Sequence, residues 1–349
     1  MMETSTRIHS ARAAAIACMF ALSALAHGVE GQPAASVATV PAAPTPAADH
    51  HQYLFSPAAA AWLSSSMALA PVGADELVAR LDAAGVGRAA VLSVAYSYGG
   101  PARAVDSALG VEYARVRAEN DWVAAQAARH PQRLVALCSF NPLRDYALLE
   151  LGRCATSPGF GRGIKLDLGD SGVRLDRPDH VARLRDVFRA ANARGMAIVV
   201  DMRATRGAGR PYGAEQARVL LEQVLPCAPD VPVQVAHLAG INPGDAPDLG
   251  ALAVLADAAA RRDPRMRQVW FDVASVVRAE LAAADARRLV RRLRQAGLER
   301  VLYGSDAAFG GAAHGADHWA AFRRLPLTEA EAARVARNLA PYLQEAALR

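Results

Sequence analysis

The chain predicts a (β/α)8 barrel, the TIM-barrel class of α/β fold, and three observations carry that prediction. Short apolar runs alternate with helical stretches about eight times between residues 49 and 343. The runs are short and apolar, as strands of a parallel sheet covered on both faces must be. Polar side chains stand at the C-terminal ends of five runs, the side on which the loops of a barrel build a catalytic mouth. A doubly wound open sheet fits less well. No Gly-x-Gly-x-x-Gly follows the first strand, and the charged residues do not gather at one switch point.

The order of elements starts with a leader. Arg7, His9 and Arg12 precede an apolar run from Ala13 to Ala26, and Ala24-Leu25-Ala26 has the small-x-small form of a cleavage site. Residues 1–26 therefore read as an export signal, with a mature chain starting near His27 in the periplasm or outside the cell. The run is too short and alanine-rich for a stable membrane anchor. Residues 27–48 are mostly Pro, Ala, Val and Thr, the composition of an extended tether. The barrel is expected over 49–345.

It begins with Asp49-His50-His51-Gln52-Tyr53, extended through Leu54-Phe55 to a turn at Ser56-Pro57. A helix from Asp75 to Ala84 then leads to the run Ala89–Val94. Val111–His130 stops at Pro131, before Leu134–Cys138. Tyr146–Ala155 precedes Gly163–Leu168, and His180–Arg194 ends at Gly195 before Ala197–Asp201. Ala214–Leu225 leads to Val233–His237, Leu249–Arg262 to Gln268–Val273, and Ala284–Ala296 to Arg300–Asp306. Glu329–Leu343 is expected as the closing helix.

Composition narrows the function classes. Among 349 residues 52% are hydrophobic but only 6% aromatic, which suits alanine-rich packed helices. The formal charge of +5 comes from arginines scattered over helical stretches, with no basic run interleaved with aromatics, so a nucleic-acid footprint is not indicated. Beyond the leader the cysteines are Cys138, Cys154 and Cys227, without a Cys-x-x-Cys pair. They read as small buried side chains; one bridge is open to them, and the sequence does not choose the pair. Of 39 basic residues one is lysine, Lys165, within the apolar Gly163–Leu168. An amine can lose its proton or become a nucleophile where arginine cannot, which points to function at that position.

The candidate site collects the polar strand ends: His51 and Tyr53, Lys165, Asp201 and Arg203, His237, and Asp306. Strand alternation places Asp49, His51 and Tyr53 on one face of the first strand, with His50 and Gln52 on the other.

Here the sequence resembles the amidohydrolase-related proteins, or amidohydrolase family 2, over roughly residues 49–343. The resemblance rests on Asp49-His50-His51-Gln52, Gly163-Ile164-Lys165-Leu166, Val235-Ala236-His237-Leu238-Ala239-Gly240 and Leu302-Tyr303-Gly304-Ser305-Asp306. It implies a barrel hydrolase or lyase in which a divalent metal activates water. It also implies that His51 stands at the first histidine of a His-x-His pair and Lys165 at the strand-four position. His237 corresponds to the strand-six histidine and Asp306 to the strand-eight aspartate. Two positions depart: Tyr53 replaces the second histidine and Asp201 a strand-five histidine. The remaining metal set is His51, Asp201, His237 and Asp306, with zinc the first expectation, manganese the second, and a metal-free site the alternative. His314, Asp317 and His318 could supply a stray ligand. The expected chemistry is hydrolysis of a small carbonyl substrate, an amide, lactone or carboxylated ring. Asp306 would act as base, His237 and Lys165 would polarise the carbonyl, and Tyr53 and Arg203 would bind substrate, helped by Arg206 and Arg210. The competing readings are a metal-independent lactonase and an exported small-molecule binding protein on a degenerate barrel.

Overall fold

In the computed structural model, eight parallel strands hydrogen-bond in chain order: β1 (Asp49–Tyr53), β2 (Ala89–Leu92), β3 (Leu134–Ser139), β4 (Gly163–Asp167), β5 (Ala197–Asp201), β6 (Val233–Val235), β7 (Val269–Asp272) and β8 (Val301–Leu302). The His50 N–H donates to the Tyr303 carbonyl (2.9 Å) and the Asp306 N–H to the His51 carbonyl (3.0 Å), which ties the last strand to the first. The sheet is thus a nearly closed (β/α)8 barrel, as the alternation predicts. The structure describes residues 44–64, 69–101, 109–160, 163–203, 212–240, 249–277, 281–309 and 314–344, leaving aside the side chains of 109, 309 and 314–317. The leader and most of the tether, Arg206 and Arg210, and the side chains of His314 and Asp317 lie outside the described residues.

The strands are buried on both faces because their residues are apolar on both. Ala89, Ala90, Val91 and Leu92 in β2, and Ile198, Val199 and Val200 in β5, are fully buried. Each such Val, Ile or Leu contributes roughly 1.5–3 kcal/mol of hydrophobic free energy. The outer helices pack one face inward. In Ala283–Ala296 the buried residues Ala286, Leu289, Val290, Leu293 and Ala296 recur at helical spacing, and Gly297 (φ 91°) ends the helix in a conformation that costs glycine little.

Three elements differ from the sequence expectation, each for a local reason. Ser56-Pro57 opens a helix, Pro57–Leu63: the Ser56 hydroxyl accepts the Ala59 N–H (3.0 Å) and proline occupies the first turn. The stretch expected as one helix from Ala214 is α-helical only to Val219, then widens into a π-turn over Leu220–Val224 before Pro226, which has no N–H to donate. The closing helix is split into Glu329–Arg337 and Pro341–Gln344, since Pro341 disfavours helix at the residue before it. The break frees the Ala340 N–H to donate to His50 Nε2 at 3.1 Å. Cys138 of β3 and Cys154 of the following helix form a disulfide, and Cys227 is free. No helix among the described residues is long and apolar enough to cross a membrane.

Candidate active site

The site starts from an irregularity in β1. Asp49 pairs with Ala89 of β2 but Gln52 pairs with Val91, so β1 carries one extra residue between them. An inserted residue resets which side each neighbour faces. Asp49 consequently leaves the His51 side and bonds Gln52 Nε2 (2.9 Å) and the Ser305 N–H (3.0 Å), contrary to simple alternation. Burial raises the Asp49 carboxyl to about 6 despite these donors. His50 keeps to the helix layer, with Nδ1 donating to the Tyr303 carbonyl (2.8 Å), and burial lowers it to about 4. His51 and Tyr53 face each other across the site, Nε2 to hydroxyl, at 3.1 Å.

Asp272, ending β7, is the hub of the inner network. Its Oδ2 accepts from His51 Nδ1 (3.0 Å) and Gln234 Nε2 (2.6 Å); its Oδ1 accepts from the backbone N–H groups of His237 (2.8 Å) and Ala274 (3.1 Å). Burial would raise this carboxyl, but His51 and His237 outweigh burial and hold it far below the usual range. Tyr342, beyond the helix break, donates to Gln234 Oε1 and so anchors the network to the C-terminal segment. With Nδ1–H donating to Asp272, His51 carries its lone pair on Nε2, where the Tyr53 hydroxyl donates.

A second network joins β5 to the end of β6. Arg203 Nε reaches Asp201 Oδ1 (3.2 Å) and Oδ2 (2.9 Å), while Nη2 donates to Asp201 Oδ2 (2.7 Å) and to His237 Nε2 (2.7 Å). His237 Nδ1 donates to the Ala274 carbonyl (2.7 Å), which leaves Nε2 as the acceptor for Arg203. Burial acts to raise Asp201, but the Arg203 guanidinium prevails and keeps it well below the carboxylate range. Arg203 Nη1 makes no hydrogen bond among the described residues, and the side chain is 22% exposed.

The backbone around these groups is strained. His237, Leu238 and Ala239 have φ of 52°, 49° and 66°, and Ser275 and Asp306 have 56° and 57°. Left-handed backbone costs a non-glycine residue about 1–2 kcal/mol, and such strain gathers at functional sites. Gly304 is required by close approach: a Cβ there would lie 2.8 Å from His51 Cβ and 3.1 Å from Ala274 Cβ. Gly240 (φ 92°) likewise passes beside Arg203, whose Cγ would lie 2.9 Å from an added Cβ.

Two of the buried polar atoms without a hydrogen-bond partner among the described residues belong to this site. Lys165 is 0% exposed and its Nζ has no hydrogen bond; Asp306 Oδ2 accepts from Ser275 (2.7 Å), but its Oδ1 has none. Both belong to the same cluster. The Lys165 charge acts on His51, Asp167 and Asp201, and that of Asp306 on Tyr53 and Arg203. Burial first, then Asp170 and Asp201, push the Asp167 carboxyl well above its usual range. Tyr96, after β2, is buried within the fields of Tyr53, Asp167 and Asp201, and burial raises its hydroxyl well above 10.0. A carboxyl pushed up by burial and a carboxylate held down by a guanidinium thus share one interior.

A divalent metal would need free lone pairs on the donors of this site. His51, His237 and Asp272 each offer one ligand atom, all within 4.8 Å of one another, and by spacing this group could hold an ion. Their lone pairs are otherwise engaged: Nε2 of His51 by Tyr53, Nε2 of His237 by Arg203, and the oxygens of Asp272 by four donors. The wider set of His51, Asp201, His237 and Asp306 meets the same guanidinium, which pairs with Asp201 as well. A guanidinium about 4 Å from an ion opposes each of its charges by about 4 kcal/mol at an effective dielectric near 20. The bonding, unlike the spacing, does not fit a metal.

The structure therefore brings His51, Tyr53, Lys165, Asp201, Arg203, His237 and Asp306 into one interior. Asp272, Gln234, Tyr96 and Asp167 are further members that sequence reasoning passed over. Asp272 carried the same signal as the others, a charged residue closing an apolar strand. Gln234 could have been found as the polar residue within Val233–Val235.

The match to the amidohydrolase family model runs over residues 48–338, and the chain belongs to that family. No curated protein matches it in sequence. Among solved structures it is similar to 5-carboxyvanillate decarboxylase from Sphingomonas paucimobilis, with a TM-score of 0.58 and 17% identity over 86% of this chain and 98% of that one. It is also similar to a dihydroxybenzoic acid decarboxylase from Polaromonas with bound manganese and 2-nitroresorcinol (TM-score 0.59, 14% identity, 86% and 97% coverage). A third is a probable 2-pyrone-4,6-dicarboxylic acid hydrolase from Acinetobacter baumannii with citric acid bound (TM-score 0.51, 14% identity, 86% and 97% coverage). At such identities the likeness is one of fold.

Proposed function

We propose that the protein is a hydrolase of a small carboxylated carbonyl compound, a lactone or amide, acting inside the barrel mouth. The observation that carries this reading is that two buried groups of the site, Lys165 Nζ and Asp306 Oδ1, have no partner among the described residues. Burying an ammonium and a carboxylate oxygen without partners is costly, and a substrate and a water supply the missing ones. Asp306 takes a proton from water as its oxygen attacks the carbonyl carbon. The Lys165 ammonium faces the negative charge that develops on the carbonyl oxygen, in an interior where such charge is weakly screened. Arg203 spends its two-pronged edge on Asp201, so a substrate carboxylate meets it through Nη1, singly rather than bidentately. The leaving group recovers its proton from the Asp306 carboxyl, which restores the base. That the three fold neighbours named above act on carboxylated rings by their descriptions supports a carboxylated substrate class.

Turnover of a panel of small carboxylated lactones and amides tests the reading. Asp306→Asn in folded protein should lower kcat by about 10²–10⁴, the usual worth of a positioned base. Saturable binding without turnover across the panel would replace the hydrolase by a binding protein.

We further propose that the chain is exported and begins near His27. The charged and apolar leader supports this, as does the Cys138–Cys154 bridge, since disulfides persist in oxidising compartments. Mass spectrometry of the extracytoplasmic fraction checks it; an intact Met1 start there would refute it.

A further inference from the structure

We infer that the Arg203 guanidinium takes the place of a divalent ion in this barrel, as a permanent internal cation held by Asp201 and His237. Three observations converge on it. Arg203 Nη2 lies 2.7 Å from both Asp201 Oδ2 and His237 Nε2, and so sits on the lone pairs of two of the four residues that the sequence offers as metal ligands. A third, His51, has its Nε2 lone pair met by the hydroxyl of Tyr53, the residue that replaces a histidine. The fourth, Asp306, keeps one oxygen without a partner among the described residues, and that oxygen is where the hydrolase reading places its base.

The two departures from the family pattern then explain each other. A histidine at 201 would remove the carboxylate that the guanidinium at 203 bonds directly. Asp201 supplies that anion, and the pair keeps Arg203 in the interior with only 22% of its side chain exposed. Tyr53 supplies an O–H where a second imidazole would supply another lone pair. One change brings in the cation and the other removes a ligand. Gly240 completes the arrangement, because a side chain at that position would collide with Arg203 and with the Tyr212 hydroxyl. Arginine suits the role because it stays protonated in this setting and presents a planar set of donors to the carboxylate.

The inference rests on the hydrolase reading only for its chemistry, and its test reads metal binding alone, so either can fail without the other. The full chain, stripped with chelator and dialysed, is titrated with Zn²⁺ and with Mn²⁺ by calorimetry, and its melting is followed with and without each metal. The natural chain should take up no stoichiometric metal and gain no thermal stability. Arg203→Lys, which keeps the charge, should behave the same way. Arg203→Gln should bind at least about 10-fold more tightly, the scale on which groups around a ligand shift metal affinity. Should Arg203→Gln fail to fold because Asp201 is left buried and unpaired, the pair Asp201→Asn with Arg203→Gln removes both charges. It retains His51, His237 and Asp306 and should show the same gain. One tightly held equivalent of metal in the natural chain, or no gain in a folded variant lacking the guanidinium, overturns the inference.

Discussion

Lys165 shows at the scale of one residue how stability and function pull apart. Its side chain is fully buried and its Nζ makes no hydrogen bond among the described residues, so it costs the fold free energy that an apolar side chain would not. Lys165→Met should therefore be neutral or stabilising by up to about 3 kcal/mol, because replacing a buried charge by a packed apolar group often is. The same change should lower turnover by about 10²–10³, the loss seen when one preorganised stabiliser of developing charge is removed. Denaturant unfolding and turnover on the same preparation check both halves; a destabilised variant with full activity would make Lys165 structural. The residue was legible in the sequence because it is the sole lysine among 39 basic residues and sits in an apolar strand. Asp272 was less visible. Its importance comes from four donors that converge from β1, β6 and the β7 turn, and no local pattern announces that meeting.

At the scale of elements, β1 does the most to position the site, and its inserted residue is what alternation could not foresee. The period of two holds only while the ladder is regular, and here the register changes between Asp49 and Gln52. The same strand carries two buried titrating groups with opposite effects on stability. His50, lowered from 6.5 to about 4, is neutral when folded and takes a proton more readily when unfolded, so its contribution is full above pH 6.5 and lost as pH falls towards 4. The loss is on the order of 3 kcal/mol at about 1.4 kcal/mol per unit. Asp49, raised from 3.8 to about 6, holds its proton more tightly when folded, so over pH 6 to 4 it stabilises as the pH falls. The two slopes oppose. His50→Gln removes one of them, so the stability gap between natural chain and variant should narrow by about 3 kcal/mol between pH 6.5 and 4. Denaturant midpoints across that range check it, and a gap independent of pH would contradict the burial argument. The helix breaks at Pro226 and Pro341 follow a rule the sequence displays, yet apolar periodicity runs through both and masks them.

For the whole molecule, eight short apolar strands with polar C-terminal ends suffice to specify the barrel, because closure brings those ends to one place whatever lies between them. The bonding inside the mouth was not specified in the same way. Tyr53 and Asp201 were visible as departures, but that Arg203 bridges Asp201 and His237 depends on the packing of two separate strand ends. Cysteine pairing was likewise open until β3 and the helix Ala147–Thr156 were placed side by side. That bridge closes a loop with a sequence separation of 16 residues. Replacing both cysteines with alanine should lower stability by about 3 kcal/mol in the chain-entropy account, with turnover retained in protein that stays folded. A non-reduced digest showing these peptides unlinked would remove the bridge from the account. The central claim is that this barrel hydrolyses a carboxylated carbonyl compound with its own side chains, Asp306, Lys165 and Arg203, at the place where a metal would work. Its most direct test is turnover of an accepted lactone before and after complete removal of metal by chelator. The account predicts the same rate in both states and no increase on adding Zn²⁺ or Mn²⁺; a rate that vanishes with chelator and returns with one equivalent of metal would contradict it.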